Sequence, residues 1–540
     1  MTPERNEFDY IIVGAGSAGA ALAARLTERA QLSVLLLEAG PPDTNLWTRI
    51  PLGVGFVLAQ GKVTRSFHTQ PDPQMNGRGI YWPRGWVVGG SSTVNGMIWV
   101  HGTPREYDLW AEDGCPGWAY ADLLPWFKKI ERFAGGDDAS RGRQGPVTVT
   151  EFQPVDALPD AFLDSAQQAG IAPRVADYNA RGLGGSYLQF NTRRGVRCNT
   201  RMAYLDDALE RPNLTLKTGA LVQRVLLEGK RAVGVAARIE GREGKFKARR
   251  EVILCGGAFN SPQLLELSGI GRREVLAAAG VPLVHELRMV GENLSEHVYS
   301  PIVYRSKPEG SWNQRLSSPL GQAKLGLGWL ATRKGPLSSN SITAQTFAPM
   351  QPGGAHAELK LQVQQVSTAN NRGAGKMALD EFPGITLASF QIRPRSRGTS
   401  HIANADPAAD PTMFSCHFTH PDDLDACLRA LKLSRRIAQT GPLARLIEEE
   451  VRPGPKAASD EHLVAYLRAT GATAYHPLGT CRIGSDAAQS VVDPQLRVHG
   501  ITALRVADAS VMPTIASTNT NAIAIVVGER AADFIQRESA

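Results

Sequence analysis

The sequence is most easily bounded by what it lacks. None of its 540 residues fall in an uninterrupted apolar run of the ~18 needed to span a bilayer, so no transmembrane helix is expected. Its first ten residues, MTPERNEFDY, set Glu4, Glu7 and Asp9 ahead of the first apolar stretch, a pattern that is not a secretory leader. Only six cysteines occur (Cys115, Cys198, Cys255, Cys416, Cys427 and Cys481), far apart and without a CxxC pair. That argues against a disulfide framework and a cysteine metal site, and leads to the expectation of reduced thiols in a cytoplasmic protein that binds no metal. Blocks of Lys and Arg interleaved with aromatics are absent, and a net charge of +7 is modest for this length, so no nucleic-acid partner is expected. Repeats and low-complexity tracts are also missing. With 42% hydrophobic and 21% charged residues, the composition is that of a globular protein of two or more structural units.

The stretch from Phe8 to Gly40 is the most informative feature present. A short apolar run, Tyr10 to Val13, meets Gly14-x-Gly16-x-x-Gly19, and an alanine-rich segment then carries apolar residues at helical spacing to about Leu26. A second apolar run, Val34 to Leu37, ends in Glu38. This reads as strand, tight turn, helix and strand, with an acid about twenty residues beyond the glycines, as a dinucleotide fingerprint requires. Gly14 permits the turn, Gly16 lets a pyrophosphate approach the backbone, and Gly19 lets helix and strand pack closely. The helix start offers unpaired N–H groups to phosphate, and Glu38 can accept hydrogen bonds from the adenosine ribose. An acid at this place favours FAD or NAD over NADP, and the motif by itself leaves FAD and NAD open.

Residues 83–97 read PRGWVVGGSSTVNGM, a glycine-rich loop whose accessible N–H groups and small side chains can wrap a flat ligand. This stretch resembles the first signature of the glucose–methanol–choline (GMC) oxidoreductases. Neighbouring segments, IPLGVG before it and REYDLW, CPGW and LPWFKKIE after it, are similar to that family's alcohol and choline dehydrogenase branch. The likeness continues through GVRCNTRMAYL at 195–205, RPNL at 211–214, GGAFNSPQLLELSGIG at 256–271 and VGENLSEH at 290–297. It runs on through RPRSRGTS at 393–400, YHPLGTCRIG at 475–484 and LRVADASVMPTIASTNTNA at 504–522, and so spans nearly the whole chain.

The resemblance implies FAD as the dinucleotide. It implies an α/β (α+β overall) fold with a Rossmann-like FAD-binding domain, discontinuous because the flavin blocks lie at both ends and in the middle. That domain is placed at 1–155, 195–305 and 485–540, and a substrate domain at 156–194 and 306–484. Local pattern agrees in part: 216–227 and 250–254 are β-rich, 505–510 reads as a short strand entering a loop, and Leu359 to Val366 alternates as an antiparallel strand would. The cofactor set expected from the first stretch is Gly14, Gly16, Ser17, Ala18, Gly19, Glu38 and Ala39. The glycine loop adds Arg84, Gly85, Val88, Gly90, Asn95, Gly96, Met97 and Ile98. Val222, Gly256, Ala258, Asp508, Ala509 and Asn521 complete it.

The chemistry needs a base, because oxidising an alcohol with a flavin removes a hydroxyl proton and passes a hydride from the same carbon to the flavin. The resemblance places the catalytic histidine at His476, where Pro477 and Gly479 restrict the backbone. It places the partner at Asn519, which can donate an amide N–H to the substrate oxygen and which also reads simply as a cap for the last helix. Some relatives attach FAD covalently through a histidine in the GGSS loop; here Val94 precedes Asn95 and offers no nucleophile, so non-covalent FAD is expected. Choline-oxidising relatives carry a glutamate where this chain, in SNSITAQTF, has Thr343. A quaternary ammonium wants an anion or an aromatic cage. The expected substrate is therefore a neutral primary alcohol, aliphatic or aromatic, with O2 or a quinone or dye as electron acceptor. A choline-type enzyme, a lyase of the hydroxynitrile type on the same scaffold and a flavin-binding protein without turnover stay open as alternatives.

Overall fold

The computed structural model describes residues 6–351, 353–369, 378–415, 417–516 and 519–538. The run at the start of the chain forms the strand Glu7–Val13, buried from Phe8 onward, as a stretch without polar alternation requires when both faces of a sheet are covered. It pairs in parallel with Val34–Leu37 on one side and Arg242–Leu254 on the other. Leu214–Lys217 extends the sheet beyond Val34–Leu37, and Leu504–Val506 pairs in parallel with the end of Arg242–Leu254. Ala220–Glu228 and Arg231–Ile239 add an antiparallel flank. The β-rich run from 216 is thus two strands, broken where Gly219 takes φ +63°. Strands from the beginning, middle and end of the chain therefore build one sheet.

Two helices lie together beside that sheet. Ser17–Leu26 follows the first strand, and Asn521–Glu538 packs against it so closely that a Cβ on Gly528 would stand 2.2 Å from the Ala18 carbonyl oxygen. Arg25 Nε donates to both oxygens of the buried Glu529 at 2.9 and 3.0 Å, tying the pair. The contact brings the first residues of the last helix to the glycine turn at the other end of the sequence.

A second sheet is antiparallel throughout, in the order Ile447–Arg452, Val298–Ser306, Gly384–Gln391, Leu359–Gln364, Ile342–Ala348 and Gly184–Tyr187. Val298–Ser306, which the sequence division assigns to the cofactor part, belongs to this sheet. The strand Leu359–Gln364 alternates as expected, yet all six residues are buried. Leu359, Leu361 and Val363 join the apolar core formed with the helices Leu158–Gln168 and Pro421–Ala438. Lys360, Gln362 and Gln364 line a cavity on the other face.

Candidate active site

A cavity of about 1020 Å³ is walled by residues of both sheets and of the loops between them. The glycine turn forms part of it. Gly14 takes φ +105°, and a Cβ there would lie 2.4 Å from the Cys255 carbonyl oxygen; one on Gly19 would lie 2.0 Å from that of Gly14. Gly16 starts the helix Ser17–Leu26 with no side chain capping its first turn, so those N–H groups are available to an anion at the cavity wall. Gly90 presses against the same turn, where a Cβ would meet Gly16 Cα at 2.7 Å, and Gly89 N–H donates to the Ala15 carbonyl at 2.8 Å.

Glu38 anchors this part of the wall. Its carboxylate accepts from the N–H of Ala15 at 2.9 Å and of Gly40 at 2.8 Å, while burial pushes the carboxyl up to about 7 against those two bonds. Each oxygen keeps a lone pair for a further hydroxyl. Asp508 accepts from Gly257 N–H, Ser261 Oγ and Ser510 N–H at 2.8, 2.5 and 2.7 Å, fixing the loop after Leu504–Val506 to the helix Gly257–Leu267. Asn521 Oδ1 accepts from Ser17 Oγ at 2.8 Å, and its buried Nδ2 has no hydrogen-bond partner among the described residues. In the glycine-rich loop, Asn95 Oδ1 accepts from Met97 N–H at 3.0 Å and from the buried Arg197 at 2.8 Å, and Met97 takes φ +61°. Arg84 reaches the Tyr475 carbonyl at 3.0 Å, which links the loop to the residue before His476.

His476, half-buried, stands in a chain of hydrogen bonds whose directions follow from its fixed end. The Ile392 carbonyl can only accept, so His297 Nε2, 3.2 Å away, carries a proton. His297 Nδ1 then accepts from His476 Nδ1 at 3.0 Å, leaving His476 Nε2 as an acceptor 2.9 Å from Asn519 Nδ2. Asn519 Oδ1 in turn accepts from Lys360 Nζ at 2.9 Å. Behind the two imidazoles, the buried Glu296 accepts from the backbone N–H groups of His297 and His476, from Trp82 Nε1 and from Thr473 Oγ1. Burial pushes its carboxyl up to about 7 and the His297 imidazole down to about 4. Burial also holds His476 well below its ordinary value, with His297, Lys360 and Arg84 adding to the effect. At neutral pH His476 is a neutral imidazole whose Nε2 lone pair faces the cavity. Glu296, His297 and His476 also present ligand-type atoms within 4.8 Å of one another, but the hydrogen bonds just described already claim those lone pairs.

Comparison with known proteins places the chain in a family. The family model described as GMC oxidoreductase matches residues 8–299 with its N-terminal part and 394–528 with its C-terminal part. The chain belongs to the GMC oxidoreductase family. It is 38% identical over 547 aligned positions to the oxygen-dependent choline dehydrogenase of Escherichia coli O139:H28, covering 99% of this chain and 96% of that protein. Among solved structures it is similar to pyridoxine 4-oxidase from Mesorbium loti, at 27% identity and a TM-score of 0.88, covering 99% of both chains. It is also similar to a formate oxidase of Aspergillus oryzae RIB40 studied for modification of its FAD, at 26% identity and a TM-score of 0.91, again covering 99% of both. This GMC oxidoreductase is an FAD-dependent enzyme of mixed α/β fold acting on CH–OH donors. The residues present fit FAD: an uncapped helix start for phosphates, a carboxylate with spare lone pairs, and the Asn521 Nδ2, without a partner among the described residues, share one cavity.

The residues singled out from sequence fall into two groups. Gly14, Gly16, Ser17, Ala18, Glu38, Ala39, Arg84, Gly85, Gly90, Asn95, Gly96, Met97, Ile98, Val222, Gly256, Ala258, Asp508, Ala509 and Asn521 line the cavity, as do His476 and Asn519. Gly19 and Val88 do not. Gly19 serves the strand–helix crossing, and the buried Val88 underpins the loop through its N–H to Pro41 at 3.1 Å. Thr343 also needs correction: the strand turns it away, fully buried, and its neighbour Ile342 faces the cavity. The sequence reading missed Lys360 and Glu296. Glu296 sits inside the ENLSEH block and carries no signal beyond it, and nothing separates Lys360 from the other polar residues of an alternating strand.

Proposed function

We propose that this enzyme oxidises a neutral primary alcohol, aliphatic or aromatic, to its aldehyde, with His476 taking the hydroxyl proton. The observation that carries this reading is the His476–Asn519–Lys360 grouping in a cavity whose only acids among the described lining residues are Glu38 and Asp508, both engaged with backbone N–H groups elsewhere. A quaternary ammonium such as choline would enter beside a lysine rather than a carboxylate. The 38% identity to a choline dehydrogenase keeps that substrate as the second reading.

The FAD is proposed to be held by the Gly14–Gly19 turn, Glu38, the 84–98 loop, Val222, Gly256, Ala258, Asp508, Ala509 and Asn521, without a covalent link. Bound there, FAD supplies the acceptor for the hydride that leaves the alcohol carbon. The chain's own groups do the rest. His476 Nε2 accepts the hydroxyl proton while His297 keeps the other ring nitrogen protonated, and Asn519 Nδ2 donates to the oxygen as negative charge gathers on it. Glu296, through the backbone N–H of His476, fixes where the base stands. The electron acceptor is proposed to be O2 or a quinone or dye. We take the cofactor part as 1–155, 195–305 and 485–540 and the substrate part as 156–194 and 306–484, the strand Val298–Ser306 at their seam pairing in the antiparallel sheet. No described helix is long and apolar enough to cross a membrane, and the five described cysteines are free, in keeping with a cytoplasmic location.

Anaerobic mixing with a panel of primary alcohols, choline and a cyanohydrin tests the reading. Neutral primary alcohols should bleach the flavin absorbance and choline should not. Bleaching by choline alone would favour the second reading, and cyanohydrin cleavage without bleaching would replace the oxidation with a lyase.

A further inference from the structure

We propose that Lys360 is a positioning residue of the reaction, its ammonium group holding the Asn519 amide in the one orientation that presents Nδ2 to His476 and to the substrate oxygen. The proposal rests on reading His476 and Asn519 as the reacting pair. Lys360 is 4% exposed, lines the cavity, and lies over the rings of Phe347 and Phe390 at 5.8 Å from each centroid. Its Nζ donates to Asn519 Oδ1 at 2.9 Å, and no carboxylate stands within ion-pair distance of it among the described residues. A lysine buried without an acid is unfavourable for folding, since its charge is desolvated without compensation. The compensation it does have is the carbonyl end of the Asn519 amide.

The two ends of an asparagine amide are almost the same shape, so only hydrogen bonding decides which faces the base. An ammonium group donates and cannot accept, and it therefore demands Oδ1. The other end, Nδ2, is then forced toward His476 Nε2, in agreement with the assignment that starts from the Ile392 carbonyl. A neutral amine can accept as well as donate, so once the substrate hydroxyl takes the His476 Nε2 lone pair nothing else on the lysine side holds Nδ2 toward the oxygen. The titratable groups coupled to Lys360 are His297, just before Val298–Ser306, and His476 in the 475–484 loop, while Tyr299 and Arg84 line the same cavity. None of them is a carboxylate. Burial pulls the Lys360 amine down to about 7, so the enzyme passes from the fixed to the unfixed amide as pH rises through that region.

The test is anaerobic reduction of the bound flavin by a saturating alcohol, followed from acid to alkaline pH in wild type, Lys360→Met and Lys360→Arg, with thermal melts of each. Wild type should lose rate on the alkaline side. Lys360→Met should be slower by about 10- to 100-fold, the loss expected when a donor to a developing oxyanion is no longer held in place. It should show no alkaline fall and should melt higher, because a buried unpaired cation is gone. Lys360→Arg should keep most of the rate and stay level into alkali, since a guanidinium remains charged to beyond about pH 12. A Lys360→Met enzyme with wild-type rate and wild-type alkaline fall overturns the proposal, and if that variant does not fold, an alkaline fall retained by Lys360→Arg does so. Failure of every alcohol to reduce the wild-type enzyme would overturn the reading of the site, and this proposal with it; normal wild-type reduction with an unaffected Lys360→Met removes this proposal alone.

Discussion

Replacing His476 with alanine tests the centre of the mechanism. The substitution deletes the imidazole with its contacts to Asn519 and His297, at 2.9 and 3.0 Å, but keeps the backbone N–H that Glu296 holds at 2.9 Å. The loop and the FAD cradle should therefore survive, and FAD content should match wild type. What disappears is the proton acceptor. Loss of a general base slows a reaction by roughly 10²–10⁴-fold, equivalent to about 3–5 kcal/mol on the barrier. The pH dependence sharpens the test. The reactive form of His476 is the neutral one, and its proton affinity is held well below that of a free imidazole, so the wild-type rate should climb only in acid and be insensitive to this group at neutral pH. The acid limb should vanish in the variant. Stopped-flow reduction of the flavin under anaerobic conditions, with alcohol saturating and pH varied, reads both effects. Near wild-type speed in His476→Ala would refute the assignment. His297 could not easily take over, because its Nδ1 faces His476 and its Nε2 faces the Ile392 carbonyl.

Asn519→Ala should slow reduction by roughly 10²–10³-fold yet keep the acid limb, and loss of that limb would mean Asn519 itself sets the titration. Glu38→Ala should yield largely apoprotein that regains activity with excess FAD, since hydrogen bonds to a charged group are worth about 1.5–3 kcal/mol each. It should also melt lower, because the bonds from Ala15 and Gly40 go with it; full FAD occupancy would show that Glu38 does not bind the ribose. Acid or heat precipitation should leave all yellow colour in the supernatant, and colour in the pellet would reveal a covalent link that Val94 cannot provide.

The strand, glycine turn and helix from Phe8 to Leu26 were legible from sequence because their causes are local: an unbroken apolar run, three glycines at fixed spacing and small residues at helical period. The strand Val34–Leu37 was likewise fixed by its own apolar run, with Glu38 standing where the chain turns out of the sheet. The antiparallel character of Leu359–Gln364 could be read from alternation, but which face met solvent could not. Only the tertiary structure showed that neither does, since helices cover one face and the cavity takes the other, and this makes Lys360 a buried cation beside Asn519. The same limit applies to Thr343 and Ile342: a one-residue difference in register decides which of them faces the cavity, and register is set by pairing with a partner strand rather than by the residues themselves. His476, 179 positions from His297 and 43 from Asn519, could be named singly from sequence. The direction of the hydrogen bonds that make Nε2 its proton acceptor depends on the Ile392 carbonyl, and only the fold brings that carbonyl to His297.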